Sequence, residues 1–334
     1  MRISVIGAGA IGCLLAGYLK IKGEDVSLVG RNDTLKAISS SGLCISGSRG
    51  NFNVAIPISD KLNSKPELVV LATKIPDVET ALKDNLNFIR GAKVLTIQNG
   101  VAAESLAAEY IAPADIISGI VIFGATYLEP GKVSHNFEGS LVLGSFFGFK
   151  PSAETVKISE VLDQAFPTII SEEIKGMKYV KIFANLNNCL PAILGLSMQE
   201  IFKDLEISRV SLAIWKECFE IARRAGIKLV SLPGFSIENV IRLLSLPKDE
   251  AVKIFSNMMC SLSKEPLYGS ILQSIKRKKI TEVDYLNGEF VRLAQVNNMP
   301  APINKILVEL VHQVEKSGKF FSKEELFKNL EGVF

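Results

Sequence analysis

A short apolar strand, Ile3-Ser4-Val5-Ile6, runs without a break into three spaced glycines, Gly7, Gly9 and Gly12, and nothing else in the chain constrains its fold as strongly. The run Cys13-Leu14-Leu15-Ala16-Gly17-Tyr18-Leu19 after them suits a helix, and Asp25–Val29 reads as a second strand. In such a strand–turn–helix each glycine lacks a side chain for its own reason. Gly7 permits the tight turn, Gly9 lets the backbone approach a pyrophosphate, and Gly12 lets the helix pack closely on its strand. The start of the helix offers unpaired N–H groups and a partial positive charge to phosphates. The loop Gly7-Ala8-Gly9-Ala10-Ile11-Gly12 is therefore read as a dinucleotide-binding turn.

The end of the second strand bears on which dinucleotide. A carboxylate there accepts hydrogen bonds from a ribose 2′-hydroxyl, whereas a cation suits a 2′-phosphate. Here Val29 is followed by Gly30-Arg31-Asn32. A carboxylate would repel a phosphate dianion, and a guanidinium pairs with it bidentately. Asp33 lies too far on to serve the ribose. Arg31 also fits an ordinary solvent-facing loop arginine, but the motif favours NADP over NAD.

No charged residue lies between Arg2 and Lys20, which imitates a signal peptide or a short membrane span. The single arginine before the run, the four glycines within it and its marginal length argue against both. A soluble, unprocessed, cytoplasmic chain is expected. Its 334 residues are ample for two cores. A mean hydropathy of +0.27 is high, and near-continuous apolar strands of a buried parallel sheet account for much of it. A net charge of +3 is too mild to argue for nucleic acid, and Lys276-Arg277-Lys278-Lys279 reads as a solvated basic run that also helps attract an anionic substrate. The five cysteines, Cys13, Cys44, Cys189, Cys218 and Cys260, form no CxxC pair, so reduced and mostly buried thiols are expected. His135 and His312 stand far apart, and no metal site or Ser-His or Cys-His nucleophile pair is expected.

Strands at Ile3–Ile6, Val26–Val29, Leu68–Ala72, Val94–Ile97 and Ile116–Phe123, with helical stretches between several of them, argue for a parallel sheet with crossover helices. Leu43-Cys44-Ile45 and Asn53–Ile56 flank Ser46–Gly50 as a hairpin-like insertion. Further strands near Lys132–Phe137 and Ser140–Gly144 suggest an antiparallel extension of the same sheet. Seventeen of the 25 glycines fall in residues 1–170, and beyond Ser171–Glu173 helical periodicity takes over, as in Val210–Arg224 and Val283–Val296. The expected architecture is α/β: an N-terminal Rossmann-type dinucleotide-binding domain, residues 1–171, joined to an all-helical C-terminal domain, residues 172–334.

Four separated motifs fall into one pattern: the Gly7–Gly12 loop, Ile97-Gln98-Asn99-Gly100, Lys181-Ile-Phe-Ala-Asn185, and Thr281-Glu282-Val-Asp-Tyr-Leu-Asn287-Gly288, preceded by Ser270-Ile-Leu-Gln273. Their order and spacing resembles the ketopantoate reductase (2-dehydropantoate 2-reductase) family over essentially the whole chain. The resemblance implies NADPH-dependent reduction of a 2-oxo acid, 2-dehydropantoate to D-pantoate in pantothenate and coenzyme A biosynthesis, at a site in the cleft between a Rossmann domain and a helical domain.

Such a reduction needs a proton donor at the carbonyl oxygen, neutral donors that orient the substrate, and an anchor for its carboxylate. Lys181 sits among Val180, Ile182 and Phe183, where desolvation lowers its pKa, although Lys175, Lys178 and Lys181 are also spaced as a solvated helix stripe. Asn185, four residues on, lies on the same helical face and can hydrogen-bond the substrate. Glu282, after Thr281, opens a helix, where an acid favours the macrodipole. The resemblance makes Glu282 the partner that orients Lys181 or binds the substrate hydroxyl, and makes Ser270 the carboxylate-binding serine. Asn99 and Lys74 end strands where cofactor or substrate binds. With the resemblance, which alone favours catalysis over the stripe for Lys181, the catalytic set is Lys181 and Glu282; the substrate set Asn99, Asn185 and Ser270; the cofactor set Gly7 to Gly12, Arg31, Lys74, Asn99 and Glu282. Two positions depart from the family pattern: Cys189 replaces a second asparagine, with Asn188 adjacent, and Leu267 replaces another. Both would make the pocket less polar. They leave room for a D-2-hydroxy acid dehydrogenase of the same family acting on a branched or aromatic 2-oxo acid. A non-catalytic NADPH-binding regulator would need the glycines and Arg31 but not Lys181, Asn185 and Glu282 together. A monomer or homodimer is expected.

Overall fold

The computed structural model describes residues 1–263 and 265–334. The chain divides into two compact units, Met1–Lys175 and Gly176–Phe334.

The first unit alternates strands and helices in the order β1 (Arg2–Ile6), α1 (Ala10–Ile21), β2 (Asp25–Val29), α2 (Asn32–Ser41), β3 (Leu43–Gly47), β4 (Phe52–Val54), β5 (Ile58–Ser59), β6 (Leu68–Leu71), α3 (Ile75–Ile89), β7 (Lys93–Thr96), α4 (Ala102–Ala108) and β8 (Ile116–Val121). It closes with β9 (Gly124–Glu129), β10 (Lys132–Phe137), β11 (Leu141–Gly144), α5 (Ala153–Asp163) and β12 (Thr168–Ile170). The main sheet runs β12-β11-β8-β7-β6-β1-β2-β5. From β8 to β5 every pairing is parallel, and β1 lies between β6 and β2. That reversal of strand order at β1 is where open α/β sheets leave a crevice at their carboxyl ends. The strands β6 and β8 are buried along their whole length, β6 as an unbroken apolar run and β8 with Ser118 as its one polar side chain. The buried side of α1, including Cys13, Leu14, Leu15 and Leu19, joins β1 and β6 in one core, each large side chain contributing about 1.5–3 kcal/mol.

The expected antiparallel extension is only half correct. The strand β11 does pair antiparallel with β8 in the main sheet. The strand β10 instead leaves it for a second sheet, β4-β3-β10-β9, pairing parallel with β3 and antiparallel with β9. The hairpin of β3 and β4 is therefore half of a sheet whose other half lies about 80 residues on, a pairing local sequence does not encode.

The remainder of the chain is helical: α6 (Ile174–Asn185), α7 (Cys189–Leu194), α8 (Met198–Phe202), α9 (Leu205–Arg224), α10 (Ile237–Ser245), α11 (Lys248–Cys260), α12 (Ser270–Lys276), α13 (Asn287–Val296), α14 (Pro302–Ser317) and α15 (Lys323–Leu330). The starts of these helices are written in side chains. Ser197 and Glu200 make a reciprocal capping box at α8, Ser322 and Glu325 another at α15, and Asp204 caps α9. The Trp215 indole in α9 donates to the Phe183 carbonyl at 3.0 Å and so fastens α6 to α9. Among the described residues no helix is long and apolar enough to cross a membrane, and no His, Cys, Asp or Glu cluster could hold a metal ion.

Candidate active site

The glycine turn has the sterics its sequence implies. Gly7 has φ +116°, and a Cβ there would lie 2.6 Å from the Ala72 carbonyl carbon and the Thr73 nitrogen. A Cβ at Gly12 would lie 2.0 Å from the Gly7 carbonyl oxygen, so only glycine lets α1 start this close to β1. A Cβ at Gly9 would meet nothing within 4 Å, which leaves the backbone open to a ligand. Gly7, Ala8, Gly9, Ala10 and Ile11 are all partly exposed, while Gly12 is buried. Close by, Thr73 Oγ1 is buried without a hydrogen-bond partner among the described residues. An open glycine backbone, a helix N-terminus with no acid in its first turn and an unsatisfied hydroxyl fit the pyrophosphate of a dinucleotide.

Gly30 brings the end of β2 against this turn, since a Cβ there would sit 2.8 Å from the Ala8 methyl. Arg31 comes next, at the N-cap of α2, its side chain 56% exposed and paired with Asp84 at 3.2 Å. Asp84 also lies 3.4 Å from Lys61. An exposed pair of this kind is worth at most about 1 kcal/mol, so it does not hold the guanidinium back from a phosphate.

Lys74 stands at the N-cap position of α3 without a side-chain capping bond, and Pro76 in the first turn and Asp77 mark the helix start. The loop after β7 carries Asn99 and Gly100, the latter at φ +86°. Sequence reading gave Gln98 no role, yet it ties the two loops together. Its Nε2 donates to the Leu71 carbonyl at 2.8 Å and to the Thr73 carbonyl at 3.0 Å. One amide thus spans the β6 end that carries Lys74 and the β7 end that carries Asn99. Beneath them Glu104 on α4 accepts from the Thr96 hydroxyl at 2.8 Å and the Ser118 hydroxyl at 2.5 Å.

In the helical unit Lys181 lies on α6, partly exposed, one turn beyond Lys178, which is only 2% exposed. Burial of the Lys181 ammonium and repulsion from Lys178 lower its pKa to about 8, against the opposing pull of Glu282. A solvated stripe would leave its lysines in water, and buried Lys178 does not fit that alternative. Asn185 ends the same helix and its Nδ2 donates to the Lys181 carbonyl at 2.9 Å. Ser270 is the exposed first residue of α12. Cys189 does not line a polar pocket. It is fully buried, its thiol faces the Leu186 carbonyl at 3.2 Å, and burial pushes its pKa up to about 12. Leu267 is exposed, with its N–H donating to Gln199 Oε1 at 2.8 Å.

Glu282 does not open a helix. It precedes a 3₁₀ turn, Val283–Tyr285, and α13 begins only at Asn287, because the Leu286 backbone (φ −112°, ψ −90°) departs from helical geometry. The segment is held from α14 instead. The Thr281 N–H donates to Glu315 at 2.6 Å, and His312 bridges Glu315 at 2.7 Å and Asp284 at 2.9 Å. With both ring nitrogens against carboxylates, the protonated form of His312 can donate to both. Burial alone would lower its pKa, but the bonds to Asp284 and Glu315 raise it. The raised folded-state value means the clamp stabilises fully below the ordinary value of 6.5 and is lost as pH rises through the raised one. Thermal unfolding of His312→Gln against the parent across this range should show the largest gap on the acid side. A gap that grows towards alkaline pH would exclude this linkage.

A glycine turn with an open backbone at the reversal point of a parallel sheet is the mark of a dinucleotide-binding fold, the class to which nicotinamide-dependent oxidoreductases belong. The family described as "Ketopantoate reductase PanE/ApbA" matches residues 3–148, and its C-terminal counterpart matches residues 173–315. The chain belongs to the ketopantoate reductase family. It is 32% identical to the 2-dehydropantoate 2-reductase of Pyrococcus horikoshii over 95% of this chain and 99% of that one. It is 31% identical to the corresponding enzyme of Pyrococcus abyssi, over 93% and 97%. Among solved structures, it matches a D-mandelate dehydrogenase bound to NADH and anilino(oxo)acetate with a TM-score of 0.80 and 25% identity, over 95% of this chain and 99% of that one. A ketopantoate reductase of Ralstonia eutropha matches with the same TM-score, identity and coverage.

Proposed function

We propose that the chain reduces 2-dehydropantoate to D-pantoate with NADPH, residues 1–171 forming the NADP-binding domain and residues 172–334 the catalytic domain. The depressed pKa of Lys181, on the helix that also carries Asn185, is the observation that supports this most directly. NADPH, when bound, would supply the hydride for the new C–H bond at C2. Lys181 Nζ gives a proton to the 2-oxo oxygen, so the C=O becomes an alcohol and Lys181 is left neutral. A pKa near 8 keeps the ammonium charged at neutral pH yet a better acid than an ordinary lysine. Glu282 opposes the depression and orients the charged lysine. Asn99 and Asn185 hydrogen-bond the substrate, and Ser270 anchors its carboxylate. Gly7, Ala8, Gly9, Ala10, Ile11 and Gly12 carry the pyrophosphate, Arg31 the 2′-phosphate, and Lys74, Asn99 and Glu282 further contacts to the cofactor.

The likeness to a D-mandelate dehydrogenase favours one second reading, reduction of a branched or aromatic 2-oxo acid without a hydroxymethyl group. A site built to hydrogen-bond a hydroxyl rejects an analogue lacking it, because its buried polar groups stay unpaired. Purified protein with NADPH should therefore reduce 2-dehydropantoate much faster than 2-oxoisovalerate or phenylglyoxylate. Faster turnover of either of the latter would replace the pantoate assignment with the second reading.

A further inference from the structure

Pro191 dictates the path of the chain beyond Asn185. Proline has no N–H to offer the carbonyl four residues back, that of Asn187, and its ring crowds that carbonyl. The helix accordingly breaks: α6 ends at Asn185, Leu186–Asn188 form a 3₁₀ turn, and α7 restarts at Cys189. Asn287 steadies the break, its Nδ2 donating to the Leu186 carbonyl at 3.2 Å and to Asn304 Oδ1 at 2.9 Å. In an unbroken α-helix Cys189 would stack next to Asn185. In a 3₁₀ turn residues three apart eclipse, so Asn188 takes that place and Cys189 turns into the core.

The stacked amides are oriented by donor and acceptor logic. The Lys181 carbonyl can only accept, so the Asn185 atom facing it at 2.9 Å is Nδ2. The other Asn185 atom is then Oδ1, and Asn188 must meet it with Nδ2, at 3.0 Å. Asn188 is 6% exposed, which shields this bond from water. Its own Oδ1 lies over Gly269, where a Cβ would come within 2.9 Å. Gly269 is the N-cap of α12, whose first residue is Ser270.

We infer that Asn188 is a positioning residue that fixes the flip of the Asn185 amide. With its oxygen engaged by Asn188, Asn185 presents its remaining N–H to a ligand as a donor. That suits the oxo or carboxylate oxygen of a 2-oxo acid and disfavours a ligand group that must itself donate. The inference rests on the proposed substrate-binding role of Asn185.

With NADPH and 2-dehydropantoate, Asn188→Leu should lower kcat/KM roughly three- to tenfold, the worth of one neutral hydrogen bond, and leave the Kd for NADPH unchanged. In an Asn185→Ala background the same change should alter kcat/KM by less than about twofold, because its effect passes through Asn185. Gly269→Ala, which displaces Asn188 without changing its chemistry, should give a loss that likewise vanishes in that background. In the ligand-free protein labelled at asparagine nitrogen, both variants should shift the Asn185 side-chain amide signals. Equal losses in the two backgrounds, or an Asn188→Leu enzyme indistinguishable from the parent, overturn the inference. If the parent does not reduce 2-dehydropantoate, the substrate reading fails by itself. The amide signals then still decide, and unshifted signals reject the role of Asn188.

Discussion

Replacing Lys181 by alanine is expected to cut turnover roughly 100- to 10,000-fold while leaving NADPH binding close to that of the parent, since a positioned general acid acts on the chemical step. Glu282→Ala should also lower activity. If the two act as one unit, the double variant loses far less than the product of the single losses. Steady-state kinetics alongside a direct cofactor titration separates these outcomes, and a Lys181→Ala enzyme with near-normal turnover would return the residue to an ordinary surface role. The acid must be protonated to donate, so the rate of reduction should fall as pH rises through about 8, and the reverse oxidation should gain over the same interval. A rate of reduction that rises through that range would assign the proton transfer to another group.

Arg31→Ala should weaken NADPH roughly ten- to a hundredfold and scarcely affect NADH, because removing a charge-assisted phosphate contact loses about 1.5–3 kcal/mol. The pair with Asp84 adds a second arm to this test. Without Asp84 the guanidinium is free to meet the phosphate, so Asp84→Ala should leave NADPH binding unchanged or slightly tighter. Titration of each variant with both nucleotides settles the point: equal losses for NADPH and NADH in Arg31→Ala mean that this arginine does not read the 2′-phosphate.

How far the sequence speaks for the structure depends on the distance between the groups involved. The glycine turn was legible because each glycine answers a steric demand raised within a few residues, and contacts at Gly7 and Gly12 met that demand. The parallel strands were legible as apolar runs. The strand β9 and the parallel pairing of β10 with β3 were not, since neither has a local signature. The start of α13 was misplaced because an acid after threonine looks like a helix opening, whereas the segment around Glu282 is held by groups on α14, around 30 residues away. His312 stood apart from any motif in the sequence, and its role emerges only when both its carboxylate partners are in view. Cys189 was read as a pocket residue by counting eight positions from Lys181, and that count fails because Pro191 overwinds the intervening turn.

The two hydrogen bonds that Gln98 donates make the loops after β6 and β7 a single exchangeable part. An attempt to alter specificity by transplanting the Lys74 loop from a relative would carry across one half of a fitted pair. The imported carbonyls would face an amide placed for other partners, leaving a buried polar group unsatisfied. Residues 71–74 and 97–100 are therefore the natural unit of recombination in this chain, although some twenty residues of helix and strand separate them in the sequence.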